Sequence, residues 1–144
     1  MAAQLPHPAF SFVVDAGLTR VGFSRVTLPT LQRDVVRYRE GNDPGEALRK
    51  LPGLLDVGDC VLERGVVPAD TELFQWLSTA GGGTVERREV VVRLLDANHQ
   101  PVLAWRLRNA FPVALEWSVL DAQHSGVLLE RLRLAVEAVE VQAS

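Results

Sequence analysis

The chain has 144 residues, a mass of 15.8 kDa and a net charge of −3 from 15 basic and 18 acidic side chains. That length predicts one domain, residues 1–144, with enough core to fold without staples. With 47% hydrophobic and 23% charged residues, the composition excludes a disordered chain, a collagen and a coiled coil, and the mild acidity argues against a general nucleic-acid binder.

Phe10, Phe12 and Val14 alternate with Ser11, Val13 and Asp15, a strand pattern. Gly17 turns the chain into Thr19–Val26, where Val21 and Phe23 share a face. Gln32–Glu40 is a third strand, with Arg33, Arg37 and Arg39 on the face of Val35 and Asp34 and Glu40 on the face of Val36 and Tyr38. Gly41–Asp56 carries Gly41, Asn42, Asp43, Pro44, Gly45, Pro52 and Gly53 and predicts a long loop. Loops of that length in compact domains are often functional. Val57–Gly65 predicts the next strand.

Pro68-Ala69-Asp70 opens the one predicted helix, about 71–80, with Asp70 as N-cap and Glu72 in the first turn. Leu73, Trp76, Leu77 and Ala80 form its apolar stripe, and Gly81-Gly82-Gly83 stops it. Val85–Asp96 is a strand with Val90, Val92 and Leu94 on one face. A turn at Ala97–Gln100 joins it to a partner in which Leu103, Trp105 and Leu107 alternate with Ala104, Arg106 and Arg108. Pro112 divides that strand from Val113–Leu120. In the last segment Leu128, Leu129, Leu132, Ala135, Val136 and Val139 fit a helix, while Leu132, Leu134 and Val136 against Arg131, Arg133 and Glu137 fit a strand. Periodicity leaves the two open.

Little in the sequence points to catalysis. Cys60 would be the nucleophile, with His99 or His124 as base, but the neighbouring Asp59 raises rather than lowers a thiol pKa, so a plain half-buried cysteine is expected. His7, His99 and His124 lack metal-ligand spacing. Gly81–Thr84 follows a helix and lacks the lysine of a phosphate loop. Glu86, Glu89 and Asp96 lie among arginines, which predicts surface ion pairs. No catalytic residue, cofactor or metal is expected. The lone cysteine makes no internal disulfide, no charged region precedes an apolar leader before Arg20, and no apolar run reaches the roughly 20 residues of a membrane helix, so cytoplasmic synthesis without a membrane anchor is expected.

Two features remain. The Arg33, Arg37 and Arg39 stripe is either a solvated strand face or an inter-subunit contact. Open sheets also leave strand edges that ask for partners, and a ring of identical subunits supplies them.

Tyr38-Arg39-Glu40-Gly41-Asn42, Lys50-Leu51-Pro52-Gly53-Leu54, Leu62-Glu63-Arg64-Gly65-Val66, Glu72–Leu77, Arg87-Arg88-Glu89-Val90 and Asn109-Ala110-Phe111-Pro112-Val113 occur in that order. Together they resemble the T4-type phage tail tube protein family, over about Phe10–Val141. Phe111 stands where the family often has tryptophan, Ala114 where lysine is common, and Val136-Glu137-Ala138 where His-Glu-Gly is usual. The resemblance implies a mainly β fold of two packed antiparallel sheets forming a barrel with one short helix, similar to the type VI secretion tube protein. It implies that the last segment is a strand.

It also implies a non-enzymatic subunit of hexameric rings that stack into a hollow tube inside a contractile sheath. Its partners would be other copies of itself, sheath and baseplate proteins and lumen cargo, with no specific nucleic-acid sequence. The alternative on the same fold is a tube initiator, terminator or cargo-adaptor ring. Within this frame Arg37 and Arg39 on the strand, and Asp43, Glu46, Arg49 and Lys50 in the loop, are the expected inter-subunit or inter-ring contacts.

Overall fold

The computed structural model describes residues 11–18, 22–39, 41, 49–79, 85–123 and 126–143. Their elements are β1 (Phe12–Asp15), β2 (Arg25–Thr27), β3 (Leu31–Tyr38), β4 (Arg49–Val57), β5 (Cys60–Gly65), α1 (Glu72–Ser78), β6 (Arg88–Leu95), β7 (Pro101–Trp117), β8 (Leu129–Ala135) and β9 (Ala138–Ala143). The last segment is two strands, and Val136-Glu137 is the break between them, with the Glu137 N–H donating to the Arg108 carbonyl at 3.1 Å.

All pairings are antiparallel, and seven strands form one connected sheet in the order β1-β6-β7-β8-β5-β2, with β9 also on β7. The seventeen residues of β7 serve two layers. Its first half lies between β6 and β9, and its second half pairs only with β8. The layers are therefore β1-β6-β7-β9 and β7-β8-β5-β2. Val14, Val90, Val92 and Leu107 of the first meet Cys60, Leu62, Leu132 and Leu134 of the second in one buried cluster. This is the inward face that alternation predicts on β1, β6 and β7.

The expected barrel does not close. Among the described residues the end strands β1 and β2 pair with β6 and β5 and not with each other. Shared β7 folds one sheet over itself, which seals one side of the sandwich and leaves four strand edges. Pro112 does not divide β7 either. It lies opposite Leu134, beside the register shift between Pro112 and Ala114, in the half of β7 that is a layer edge. A bulge on an edge strand is where a residue without an N–H is tolerated. Asn109, at a φ of +53°, marks another irregularity of β7, next to the register shift opposite Arg88–Val90. Asparagine takes this left-handed conformation at lower cost than most residues.

The predicted helix is present but shorter, at seven residues. Leu73 and Trp76 enter the core, the Trp76 indole N–H donates to the Glu86 carbonyl at 2.8 Å, and the Arg88 guanidinium stacks 4.7 Å from the Trp76 ring. A helix this short depends on such packing. The N-cap is Thr71 and not Asp70, and its side chain makes no capping bond. Asp70 instead accepts the Glu72 N–H at 3.1 Å, while its other oxygen lies 3.4 Å from Arg64 Nη2. Gly81–Thr84, which includes the predicted helix stop, lies outside the described residues.

Arg64 is 1% exposed, and its Nε donates to Glu130 directly across the β5–β8 ladder at 2.6 Å. The Phe23 ring lies 5.8 Å from its guanidinium. One buried cation thus joins β5, β8 and the approach to α1. Removing one partner of a buried ion pair typically costs about 3–5 kcal/mol, because the remaining charge is stranded. Arg64→Met is expected to lower unfolding free energy by about that amount in urea titration. Arg64→Met/Glu130→Leu should recover part of the loss, and full stability in the single variant would contradict this role.

Candidate assembly surfaces

The predicted loop 41–56 is largely a strand. β4 begins at Arg49 and pairs with β3 from Leu31↔Val57 to Tyr38↔Arg49. Proline and glycine at 52 and 53 do not break it, because the ladder is irregular there, between Arg33↔Leu55 and Val35↔Pro52. A Cβ on Gly53 would sit 2.9 Å from both the Cβ and the carbonyl oxygen of Asp34, so this crossing requires glycine.

β3 and β4 form a two-stranded ribbon apart from the seven-stranded sheet. Every β3 residue but Tyr38, and most of β4, is exposed. Residues directly opposite share a face, so Val35, Arg37, Pro52 and Lys50 lie on one side and Val36, Leu51, Tyr38 and Arg49 on the other. Both sides carry exposed apolar groups, with Leu54 84% exposed. A two-stranded ribbon alone is at best marginally stable in water and needs a third element against it.

Arg37, Arg49 and Lys50 are brought together here, with Arg37 opposite Lys50 and Arg39 just beyond the end of β3. Asp43 and Glu46 lie outside the described residues. The sequence pattern had flagged the arginine stripe. It missed the apolar companions Leu51, Leu54 and Leu55, which sit among proline and glycine and so looked like loop.

The two outer faces of the sandwich arrange their charges differently. On β6-β7-β9, Arg106 donates to Glu89 at 3.1 Å and to Gln142 at 3.0 Å, and Arg108 pairs with Glu140 at 2.9 Å. Glu137 accepts from both Arg87 and Asn109, and Arg87 lies 4.8 Å from the Phe111 ring. On β7-β8-β5-β2 one cross-strand row reads Glu116, Arg131, Glu63, Arg25. Arg131 grips one Glu63 oxygen through Nε and Nη2 at 3.1 and 2.9 Å. The next row, Ala114, Arg133, Val61, Thr27, has a single charge. Exposed pairs of this kind contribute roughly 0–1 kcal/mol each, so their main effect is on what each face attracts.

Glu86 pairs with Arg88 at 3.2 Å, Glu89 with Arg106, and Asp96 accepts the Asn98 and Gln100 N–H groups. His99 occupies that turn at a φ of +60°, and His7 and His124 lie outside the described residues. No group of three metal-ligating side chains occurs among the described residues. Cys60 is fully buried rather than half-buried, and burial, not Asp59, pushes its thiol up to about 12. A thiol so placed is a poor nucleophile. At pH 8 a disulfide reagent is expected to label Cys60 only after denaturation, and rapid labelling of the native chain would contradict the sealed site.

The model of the T4-like virus tail tube protein gp19 family matches residues 8–140. A search of curated proteins gave no match. Among solved structures, a chain of the PVC sheath/tube terminator of an extracellular contractile injection system, in its extended state, is 28% identical. The match covers 99% of this chain and all of that one, with a TM-score of 0.88. A chain of the extended PVC sheath–tube complex is 27% identical over 96% of this chain and 93% of that one, with a TM-score of 0.87. Hcp1 of Flavobacterium johnsoniae shares the fold, at 15% identity and a TM-score of 0.57, over 92% of this chain and 95% of that one. With a family match across nearly all of its length and, among the described residues, two β layers, one short helix and a separate two-stranded ribbon, the chain belongs to the T4-like tail tube protein family.

Proposed function

We propose that this chain is a structural subunit of the inner tube of a contractile injection system or contractile phage tail. Six copies close into a ring through the exposed sheet edges, and rings stack into a hollow tube that a contracting sheath drives forward. Sheath and baseplate proteins are its partners, and cargo occupies the lumen. Synthesis is cytoplasmic, and the subunit catalyses nothing.

The β3–β4 ribbon carries this reading. It has apolar residues on both faces, no third strand among the described residues and a bulge that requires Gly53, all of which suit an arm that completes its packing on another subunit. Arg37, Arg39, Arg49 and Lys50 are the charged contacts on its stem, and Asp43 and Glu46 belong to the connection beyond it. Contacts that repeat head to tail without closing build filaments, which is what stacked rings require.

A terminator ring on the same fold is the second reading, favoured by the likeness to the PVC sheath/tube terminator chain. Light scattering and negative-stain microscopy separate the two. A tube subunit is expected as stacked six-fold rings, and a terminator as single rings that stop growth when added to tubes.

The arm is tested by Leu54→Asp/Leu55→Asp. Both side chains are exposed, so unfolding free energy should change by no more than ~0.5 kcal/mol per site. Stacks should be lost while single rings persist. Normal stacking by this variant would remove the arm from the stacking contact.

A further inference from the structure

A recess of about 260 Å³ opens on the outer face of β2-β5-β8, lined by Arg25, Thr27, Val61, Glu63, Arg131 and Arg133. We infer that it receives the acidic connection between β3 and β4 of a second copy, in the adjoining ring. This rests on the arm being the stacking element, and it names the surface that the arm reaches.

The charges of the recess are unevenly engaged. Glu63, the only carboxylate among its described lining residues, is held by two guanidinium nitrogens of Arg131. Glu116, one strand further, lies 3.9 Å from Arg131 and 3.6 Å from Arg133 and is half exposed. Arg25 forms no ion pair among the described residues, and Arg133 has only that long contact. Two guanidiniums with spare donors therefore line the recess beside the neutral Thr27 and Val61, and a carboxylate is the matching acceptor.

The chain carries such a ligand. Residues 40–48 read Glu-Gly-Asn-Asp-Pro-Gly-Glu-Ala-Leu, with three acids and no base, while the flanking Arg37, Arg39, Arg49 and Lys50 are all basic. The Gly58 N–H donates to the Thr30 carbonyl at 2.8 Å and fixes the arm's root, and Thr27 and Cys60 place that root beside Arg133. The eight residues of β3 run about 27 Å from there, at about 3.4 Å per residue. The described end of the arm, Tyr38 opposite Arg49, is therefore a strand's length from its root, and a second copy is the source from which the recess can receive the acids.

Charge exchange tests the pair in full-length protein, by sedimentation and microscopy of stacks. Arg25→Glu/Arg133→Glu is expected to lower the stacked fraction at least tenfold, and Glu40→Arg/Asp43→Arg/Glu46→Arg to do the same. Combining all five should restore stacking to within threefold of the parent. The inference is overturned if either set leaves stacking within twofold of the parent, or if the combination restores nothing.

A second readout does not need tubes. Oxidising a mixture of Glu46→Cys and Arg133→Cys chains should give a covalent dimer, and a mixture of Glu46→Cys with Glu140→Cys, on the opposite layer, should give none. Absence of the first dimer, or equal yields, overturns the assignment. If Leu54→Asp/Leu55→Asp abolishes stacking while the charge exchange has no effect, the arm stands and this acceptor falls.

Discussion

One strand has to belong to two sheets. β7 pairs with β6 and β9 along its first half and with β8 along its second, and everything else in the sandwich is placed by that division of labour. A regular strand keeps the same two neighbours along its length. β7 changes them near Asn109–Pro112, where a left-handed asparagine and two register shifts interrupt the ladder. The β8–β9 chain breaks at Val136-Glu137 opposite the same region, and Glu137 is tied there to Arg108, Asn109 and Arg87. The fold line of the sandwich is thus pinned by polar contacts on its outside, while Leu107, Ala110, Leu132 and Leu134 fill its inside.

The far end of the second layer is held differently. Arg64 occupies an inward position on β5, in line with Cys60 and Leu62, where alternation calls for another apolar side chain. Glu130 and Asp70 compensate it, and Asp70 also receives the first helical N–H of α1. A buried ion pair adds little net stability over an apolar one, but it accepts few alternative arrangements. Here it sets one position for the helix start relative to β5 and β8. Apolar packing of Leu73 and Trp76 then completes the end of the core.

Much of this was legible in the sequence. Strict alternation marked the inward faces of β1, β6 and β7, and Leu73 and Trp76 marked the helix, whereas the β8 segment fitted a helix as well as a strand. These signals are local and come from one-sided burial, which periodicity reports directly. Three things were not legible. Barrel closure depends on whether β1 meets β2, a long-range fact with no local signature. Pro112 is a strand breaker by composition, yet its position on a layer edge beside a bulge removes the conflict. β4 was hidden because its stability does not come from burial: Lys50, Leu51, Pro52, Gly53 and Leu54 show neither alternation nor a core face, and only pairing with β3 defines them. Arg64 was missed because an arginine in a strand reads as solvent-facing until its partners, 66 residues away at Glu130 and nearer at Asp70, are known.

Cys60 has a consequence for durability. It is the chain's single cysteine, and Met1 is its single methionine. The cysteine sulfur is enclosed between the two layers with no exposed surface. The folded body therefore offers an oxidising medium almost no sulfur to attack. Many copies packed side by side would acquire no covalent bridges with age, and passage from a reducing to an oxidising environment would leave every strand crossing as it was made. The cohesion of such an assembly is non-covalent throughout, and it can be taken apart by salt or denaturant without a reductant.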